Sequence, residues 1–437
     1  MAKNNSLYRK WKLPFLTLLF SLGFINGLYA QVNLDKLNKS LKDATSLLNS
    51  TSLLVNAAKR TSAEFGKSVK VVKGDKSDGA ANIPNENITK PKIKKGEFTN
   101  LKWEPVTYFE GQLFPSTIIS MATYKGKIQG ELEAISRPIG FRIISNKDNI
   151  PLRWEIECVD KKYFDKQSGA VLYGQAGTEI YLMPEIPWQY DALSKQLAST
   201  PLNFYFRLYD EDGNKVEKLM AVLLRSVNDC IYQYKDIDMG FLFTAFIQEE
   251  HPEIDKILKE ALNTKMISAI AGYQVNEEYT HKQVAAIWRV LHDRGFKYSS
   301  ITPTAGTGTN IYSQAVRTFD NALKTSQANC VDGTIVFASI LRKIGISSVL
   351  VLVPGHCFLG YYTDKTKKNI AYLETTLLSE STLIDKAKTP AEKTKAYMGQ
   401  FQYALKSGLE TYKKLTPKDI RLIDVDYYRQ FVKPIPF

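Results

Sequence analysis

Between Phe98 and Tyr234 apolar residues recur at every second position. Leu152, Trp154, Ile156 and Cys158 alternate with Arg153, Glu155 and Glu157, and Leu202, Phe204, Phe206 and Leu208 alternate in the same way. A period of two puts one set of side chains on a core face and the other in water, so both runs predict half-buried strands. Asp212-Gly213 predicts a hairpin turn that returns the second run as a strand over 216–224. Asp210, Asp212 and Asn214 have the composition of a calcium loop, but the glycine and terminal glutamate such a loop needs are not at their positions. Turn chemistry accounts for them. The region 98–235 reads as a β-sandwich of immunoglobulin-like type.

Near residue 236 the period changes. Ile254, Ile257, Leu258 and Leu262 form one helical stripe behind Pro252 at a helix start. Thr280 and Gln283 predict a capping box for a second helix, which buries Val284, Ile287, Trp288 and Leu291 and stops at Gly295. The loop 304–310 mixes Gly and Thr without the lysine of a phosphate-binding loop, so it reads as a connection. Ala315, Val316, Phe319 and Leu323 predict a third helix. A fourth runs from Cys330 to Gly345 with Asn329 as N-cap, Asp332 in its first turn and a buried stripe of Val336, Phe337, Ile340, Leu341 and Ile344. Strands follow over 348–353, 356–362 and 370–376.

The 437-residue chain begins differently. Lys3, Arg9, Lys10 and Lys12 precede an apolar run over 13–25 and a small residue, Ala30, before Gln31. This is the pattern of a cleaved secretory signal over 1–30, so the mature chain is expected outside the cytoplasm, in the periplasm or secreted. Leu34, Leu37, Leu41, Ala44 and Leu48 predict a short helix stripe within 31–97, and residues 73–97 read as a flexible linker. The part of helical period would then occupy 236–437. Net charge is +13, with four of the basic residues in the leader and most of the rest spread along the chain, so a nucleic-acid surface is not expected. No later stretch is apolar enough for an integral membrane span. Four cysteines in a chain of this length make no disulfide scaffold, although Cys158 and Cys230 remain a possible pair in an oxidising compartment. His251, His281 and His292 have no metal-ligand spacing with another His or Cys, so no metal and no cofactor is expected.

Chemistry concentrates after residue 327. A thiol at a helix N-terminus meets unpaired N–H groups and the positive end of the helix dipole, both of which favour the thiolate. His356 follows the turn Pro354-Gly355, and Glu374 lies on the next strand. If those two strands pair about a turn centred near residue 365, His356 and Glu374 are direct cross-strand neighbours, roughly 5 Å apart at Cβ. An imidazole can then shuttle the proton of Cys330 while a carboxylate fixes its tautomer. Gln327 and Asn329 flank the thiol as candidate oxyanion donors, against the plainer roles of loop residue and N-cap. Cys357 should point to the opposite face from His356 as a buried bystander.

The order of a helix, Tyr298, Cys330 with Asp332, the helix exit Arg342-Lys343-Ile344-Gly345-Ile346, His356 and then a strand carboxylate resembles the transglutaminase-like superfamily. The resemblance covers roughly 240–380. It implies a papain-like α+β core with a Cys, His, Asp triad, in which Cys330 would be nucleophile, His356 general base and acid, and Glu374 the third member in place of the usual Asp. The family often has an aromatic just after the histidine; here Phe358 comes one residue later, beyond Cys357. The expected fold class is therefore α+β, a β-sandwich followed by a transglutaminase-like domain. The expected activity is cysteine acyl transfer on a peptide, protein or other amide, with hydrolysis favoured over cross-linking because no calcium loop is readable. The alternatives are a non-catalytic envelope binding module whose triad has lapsed, a cross-linking transglutaminase, and a surface assembly protein working through its N-terminal helix.

Overall fold

The computed structural model describes residues 98–124, 135–300 and 310–436. The predicted leader, the stripe over 34–48, the linker and most of the loop 304–310 lie outside the described residues. The architecture is mixed α+β.

Eight strands precede residue 225: β1 (Leu101–Thr107), β2 (Gln112–Leu113), β3 (Ile139–Ser145), β4 (Ile150–Cys158), β5 (Lys166–Tyr173), β6 (Glu179–Leu182), β7 (Thr200–Tyr209) and β8 (Lys215–Leu224). They form a sheet of order β1-β3-β6 and another of order β2-β8-β7-β4-β5. Phe141 of β3 meets Trp154 of β4 and Phe206 of β7 at ring-centroid distances of 6.1 and 5.2 Å, so the inner faces of the two sheets share one core. The alternation read from the sequence is the cause: Leu152, Trp154, Ile156, Cys158, Leu202, Phe204, Phe206 and Leu208 are all buried. The β7–β8 hairpin pairs Tyr209 with Lys215 around the predicted turn. Asp210 accepts hydrogen bonds there from the N–H groups of Asp212 and Asn214 and from the Asn214 amide, so its carboxylate serves the turn. Cys158 and Cys230 are buried free thiols, not a disulfide.

Strand β9 (Asp229–Tyr234) continues the chain across the change of period. It pairs with β10 (Ile237–Asp238) and with a distant strand, β12 (Ile311–Ala315). Between them come helices α1 (Pro252–Asn263) and α2 (Glu277–Asp293) and the short β11 (Lys297–Tyr298). Then follow α3 (Phe319–Thr325), β13 (Gln327–Ala328), α4 (Cys330–Lys343), β14 (Ser348–Val353), β15 (His356–Tyr362), β16 (Ile370–Leu373), α5 (Pro390–Lys414) and β17 (Arg421–Asp424). The last four strands make an antiparallel sheet of order β16-β15-β14-β17. Trp288 of α2 packs on Phe337 of α4 and Phe401 of α5, which fixes three helices around one buried indole.

Three local readings change. Helix α2 starts at Glu277, where Asn276 accepts the N–H of Tyr279 at 2.8 Å. The Thr280–Gln283 box does not form, because the Gln283 amide is already used by the backbone of Ala271 and Gly272. The stretch with Ala315 is strand, held by β9, and α3 begins only after the Thr318 cap. The predicted strand over 370–376 ends at Leu373.

Helix α5 approaches β16 closely at Gly408. A Cβ there would lie 2.7 Å from the carbonyl oxygen of Tyr372 and 2.8 Å from its carbon. Only backbone movement relieves such contacts, so Gly408→Ala is expected to destabilise the fold by about 1–3 kcal/mol. Calorimetry should show a lowered Tm; an unchanged Tm would mean that the helix stands further from the strand. Among the described residues no helix is long and apolar enough to cross a membrane.

Candidate active site

The candidate residues stand at the ends of three elements, two of them in contact. Cys330 is the first residue of α4, His356 the first of β15, and Glu374 the first beyond β16. Each position follows from local sequence chemistry.

Helix α4 opens with a full capping box. Asn329 Oδ1 accepts the N–H of Asp332 at 2.8 Å, and Asp332 Oδ2 accepts the N–H of Asn329 at 3.1 Å. The N–H groups of Cys330 and Val331 take no part in the cap, so they remain the natural donors toward an anion at the helix start. Asn329 is thereby placed as N-cap. Gln327 sits exposed in β13, which pairs in parallel with β11.

His356 follows Pro354-Gly355, where proline presets one φ and Gly355 takes the left-handed value of +71° that a type II turn requires. Its Nε2 donates to Glu374 Oε2 at 2.7 Å, which leaves Nδ1 for the thiol. The second oxygen of Glu374 accepts the N–H and hydroxyl of Thr376 at 3.2 and 2.6 Å. Glu374 thus caps the 3₁₀ turn Thr375–Ser379 while it holds the imidazole. The turn is fastened in its own right: buried Gln400 of α5 donates to the carbonyls of Leu377 and Glu380 and accepts from the Trp288 indole at 3.1 Å. The N–H of Glu374 donates to Ala404 of the same helix at 3.2 Å.

The register of β15 and β16 differs from the direct pairing expected. Leu359 faces Leu373 and Tyr362 faces Ile370, so the ladder is centred on residue 366 and ends before Glu374. His356 and Glu374 are diagonal, still on one face because the offset is two residues. The turn explains the shift. Asp364 accepts the N–H groups of Thr366 and Asn369, and Lys367 adopts φ +57°, lengthening the loop before β16.

Electrostatics follow from this geometry. A hydrogen bond to Cys330, then one to Glu374, push the His356 imidazole up to about 10 against the opposing effect of burial. Burial raises the Glu374 carboxyl, but hydrogen bonds from His356 and Thr376 outweigh it and hold the group below its ordinary value. Cys357 is fully buried on the other face, its thiol pushed far up by burial and by the nearby Cys330 charge.

Tyr298 joins the site as a neighbour that the spacing of Cys330, His356 and Glu374 does not predict. Tyr298 is half exposed on β11, and its phenol, raised by burial, also feels the charges of Cys330 and Glu374. Its position in the family order was the available signal. Below it, a crevice of about 10 Å³ lies among Phe296, Ala328, Val336 and Thr375, room for about one water and too little for a substrate side chain. The other histidines have structural partners: His251 caps α1, His281 meets Tyr361 at 2.7 Å and His292 meets Tyr397 at 3.5 Å. Among the described residues no group of three or more His, Cys, Asp or Glu is placed to hold a metal.

Comparison with known proteins adds little to this geometry. No protein-family pattern matches the chain, and no curated protein matches it. A solved structure, "crystal structure of a putative protease from Parabacteroides distasonis ATCC 8503", is similar at 12% identity with a TM-score of 0.18, over 54% of this chain and 62% of that one. The chain thus spans under two thirds of that protein's length, and a likeness of this size carries no argument about fold or activity.

Proposed function

We propose that the protein is an exported cysteine acyl-transfer enzyme, a peptidase or amidase working through Cys330, His356 and Glu374. The observation that carries the reading is His356 Nε2 held at 2.7 Å on Glu374, with Cys330 at the N-terminus of its helix acting most strongly on that imidazole. In this reading His356 holds the proton that the Cys330 thiol gives up as it attacks. Sγ of Cys330 attacks the amide carbonyl carbon, the C–S bond forms, and the carbonyl oxygen takes the negative charge. The free N–H groups at the start of α4 would take that charge, with the phenol of Tyr298 as a second donor. The His356 imidazolium gives its proton to the leaving nitrogen as the C–N bond breaks. Water then adds to the thioester, His356 accepts its proton, and Sγ leaves with the acid released.

Glu374 keeps Nε2 protonated and the ring turned toward the thiol. In this reading the chain carries a papain-like core of transglutaminase-like type behind an immunoglobulin-like sandwich that positions substrate. The mature chain begins near Gln31, outside the cytoplasm.

The test is alkylation of the native protein at mildly acidic pH with peptide mapping. Cys330 should be labelled well before Cys158, Cys230 and Cys357. All three of those are buried, and burial pushes Cys158 up to about 11 and the other two further. Cleavage of a peptide library should disappear in Cys330→Ala. A Cys330 that reacts no faster than an ordinary thiol would replace the enzyme with a non-catalytic binding module.

A further inference from the structure

Asp332 is wholly buried two residues after the proposed nucleophile, yet nothing in the reaction above uses it. Its Oδ2 accepts the N–H of Asn329 at 3.1 Å and the Arg317 guanidinium at 2.7 Å, and its Oδ1 accepts the backbone N–H of Arg317 at 2.8 Å. The carboxylate is 0% exposed and the guanidinium 17%. Arg317 belongs to the short link between β12 and α3, so a residue far from the thiol in the fold's hydrogen-bonded order reaches the first turn of its helix.

The carboxylate has two opposed effects. It fixes the turn that presents Cys330 and its N–H, which favours attack. It also sets a buried negative charge in the first turn of the helix that carries the sulfur, two residues on, where an unneutralised carboxylate opposes the thiolate. Burial already raises the Asp332 carboxyl despite its hydrogen bonds from Asn329 and Arg317. The other ionisable groups that act on Cys330 are His356 and buried Cys357 on β15 and Tyr298 on β11, with Glu374 behind His356. His356 is already matched to Glu374 and cannot offset a second carboxylate.

We propose that Arg317 is a positioning residue for Cys330: through its ion pair with Asp332 it cancels the charge of the buried capping carboxylate, so that the helix start is held rigid without opposing the thiolate. This rests on the reading of Cys330 as a nucleophile. It makes the capping carboxylate harmless to the sulfur only while Arg317 is paired.

The experiment is the pH–rate profile of Cys330 alkylation by iodoacetamide in the full-length mature protein. In Arg317→Gln the midpoint should rise by about one pH unit, which on the acidic limb is about tenfold slower labelling. Arg317→Lys should stay near wild type. Asp332→Asn in the Arg317→Gln background should bring the midpoint back, because no carboxylate remains to be cancelled. A folded Arg317→Gln protein whose profile superimposes on wild type overturns the inference, as does an equal shift in the presence and absence of the Asp332 carboxylate. Should Arg317→Gln not fold, the comparison of Arg317→Lys with Asp332→Asn decides: a lysine profile unlike wild type that Asp332→Asn fails to correct overturns it. A wild-type Cys330 with ordinary reactivity would instead remove the enzyme reading itself, which is a different result from a reactive thiol indifferent to Arg317.

Discussion

His356→Ala is expected to lower amide turnover by about 10²–10⁴-fold, the usual share of a general acid–base group, and to slow alkylation of Cys330 at acidic pH. The thiolate loses its cation and the leaving nitrogen its proton. The same variant carries a pH signature. In the unfolded chain an imidazole titrates near 6.5; in the folded protein the hydrogen bonds to Cys330 and Glu374 move His356 up to about 10. A folded-state value above the unfolded one means that the native protein binds this proton more tightly. The stability it contributes is complete below about pH 6.5 and lost as pH rises through about 10. Denaturant titrations of wild type and His356→Ala should therefore differ most on the acidic side and converge on the alkaline side. A gap that widens with pH would contradict the bridged imidazole.

Glu374→Asp is expected to perform no better than Glu374→Gln, although aspartate is the residue the family resemblance supplies. Had the two strands paired directly at these residues, the shorter acid would have served. With the ladder centred on residue 366, the carboxylate must span a diagonal from a backbone that has already left the strand. Removing one methylene withdraws the oxygens by about 1.5 Å, so the 2.7 Å contact with Nε2 is lost. The cap on Thr376 is within reach of aspartate, so the 3₁₀ turn survives. Turnover should fall by about 10²-fold or more with Tm nearly unchanged, and the imidazole proton seen by NMR should titrate below its wild-type value. Near-normal turnover in Glu374→Asp would show that β16 extends further than it does here.

These outcomes also mark what a linear reading reaches. The strands at 152–158 and 202–208 and the capped helix at Cys330 were legible because their causes are local: alternation, a DG turn, an Asn and an Asp three residues apart. The choice of Cys330, His356 and Glu374 as candidates comes from spacing and resemblance; His356 and Glu374 are hydrogen-bonded, as cross-strand pairing on one face predicts. The register was not legible, because the turn at 363–369 is set by where Asp364 places its oxygens and by a left-handed Lys367. Nor did sequence show α5, whose Gln400 and Ala404 fasten the Glu374 turn and whose Gly408 lies against Tyr372 of β16. The Arg317 contact was equally hidden. Periodicity describes which face of an element is apolar; it carries no information about which distant backbone will lie against it.

The pairing of β9 with β12 has a meaning for how such a gene can change. Residues on either side of 235 share that ladder, and the last segment closes back over both, with Lys433 donating to the carbonyl of Ser120 and Ile435 to that of Ala245. A recombination break near residue 235 would part β9 from β12 and leave the N–H of Lys433 without its acceptor, the carbonyl of Ser120. The strands before residue 225 and the thiol-bearing helix are thus not interchangeable cassettes. Sequence drift in one half is accepted only as the other half allows, and descent should preserve the two together.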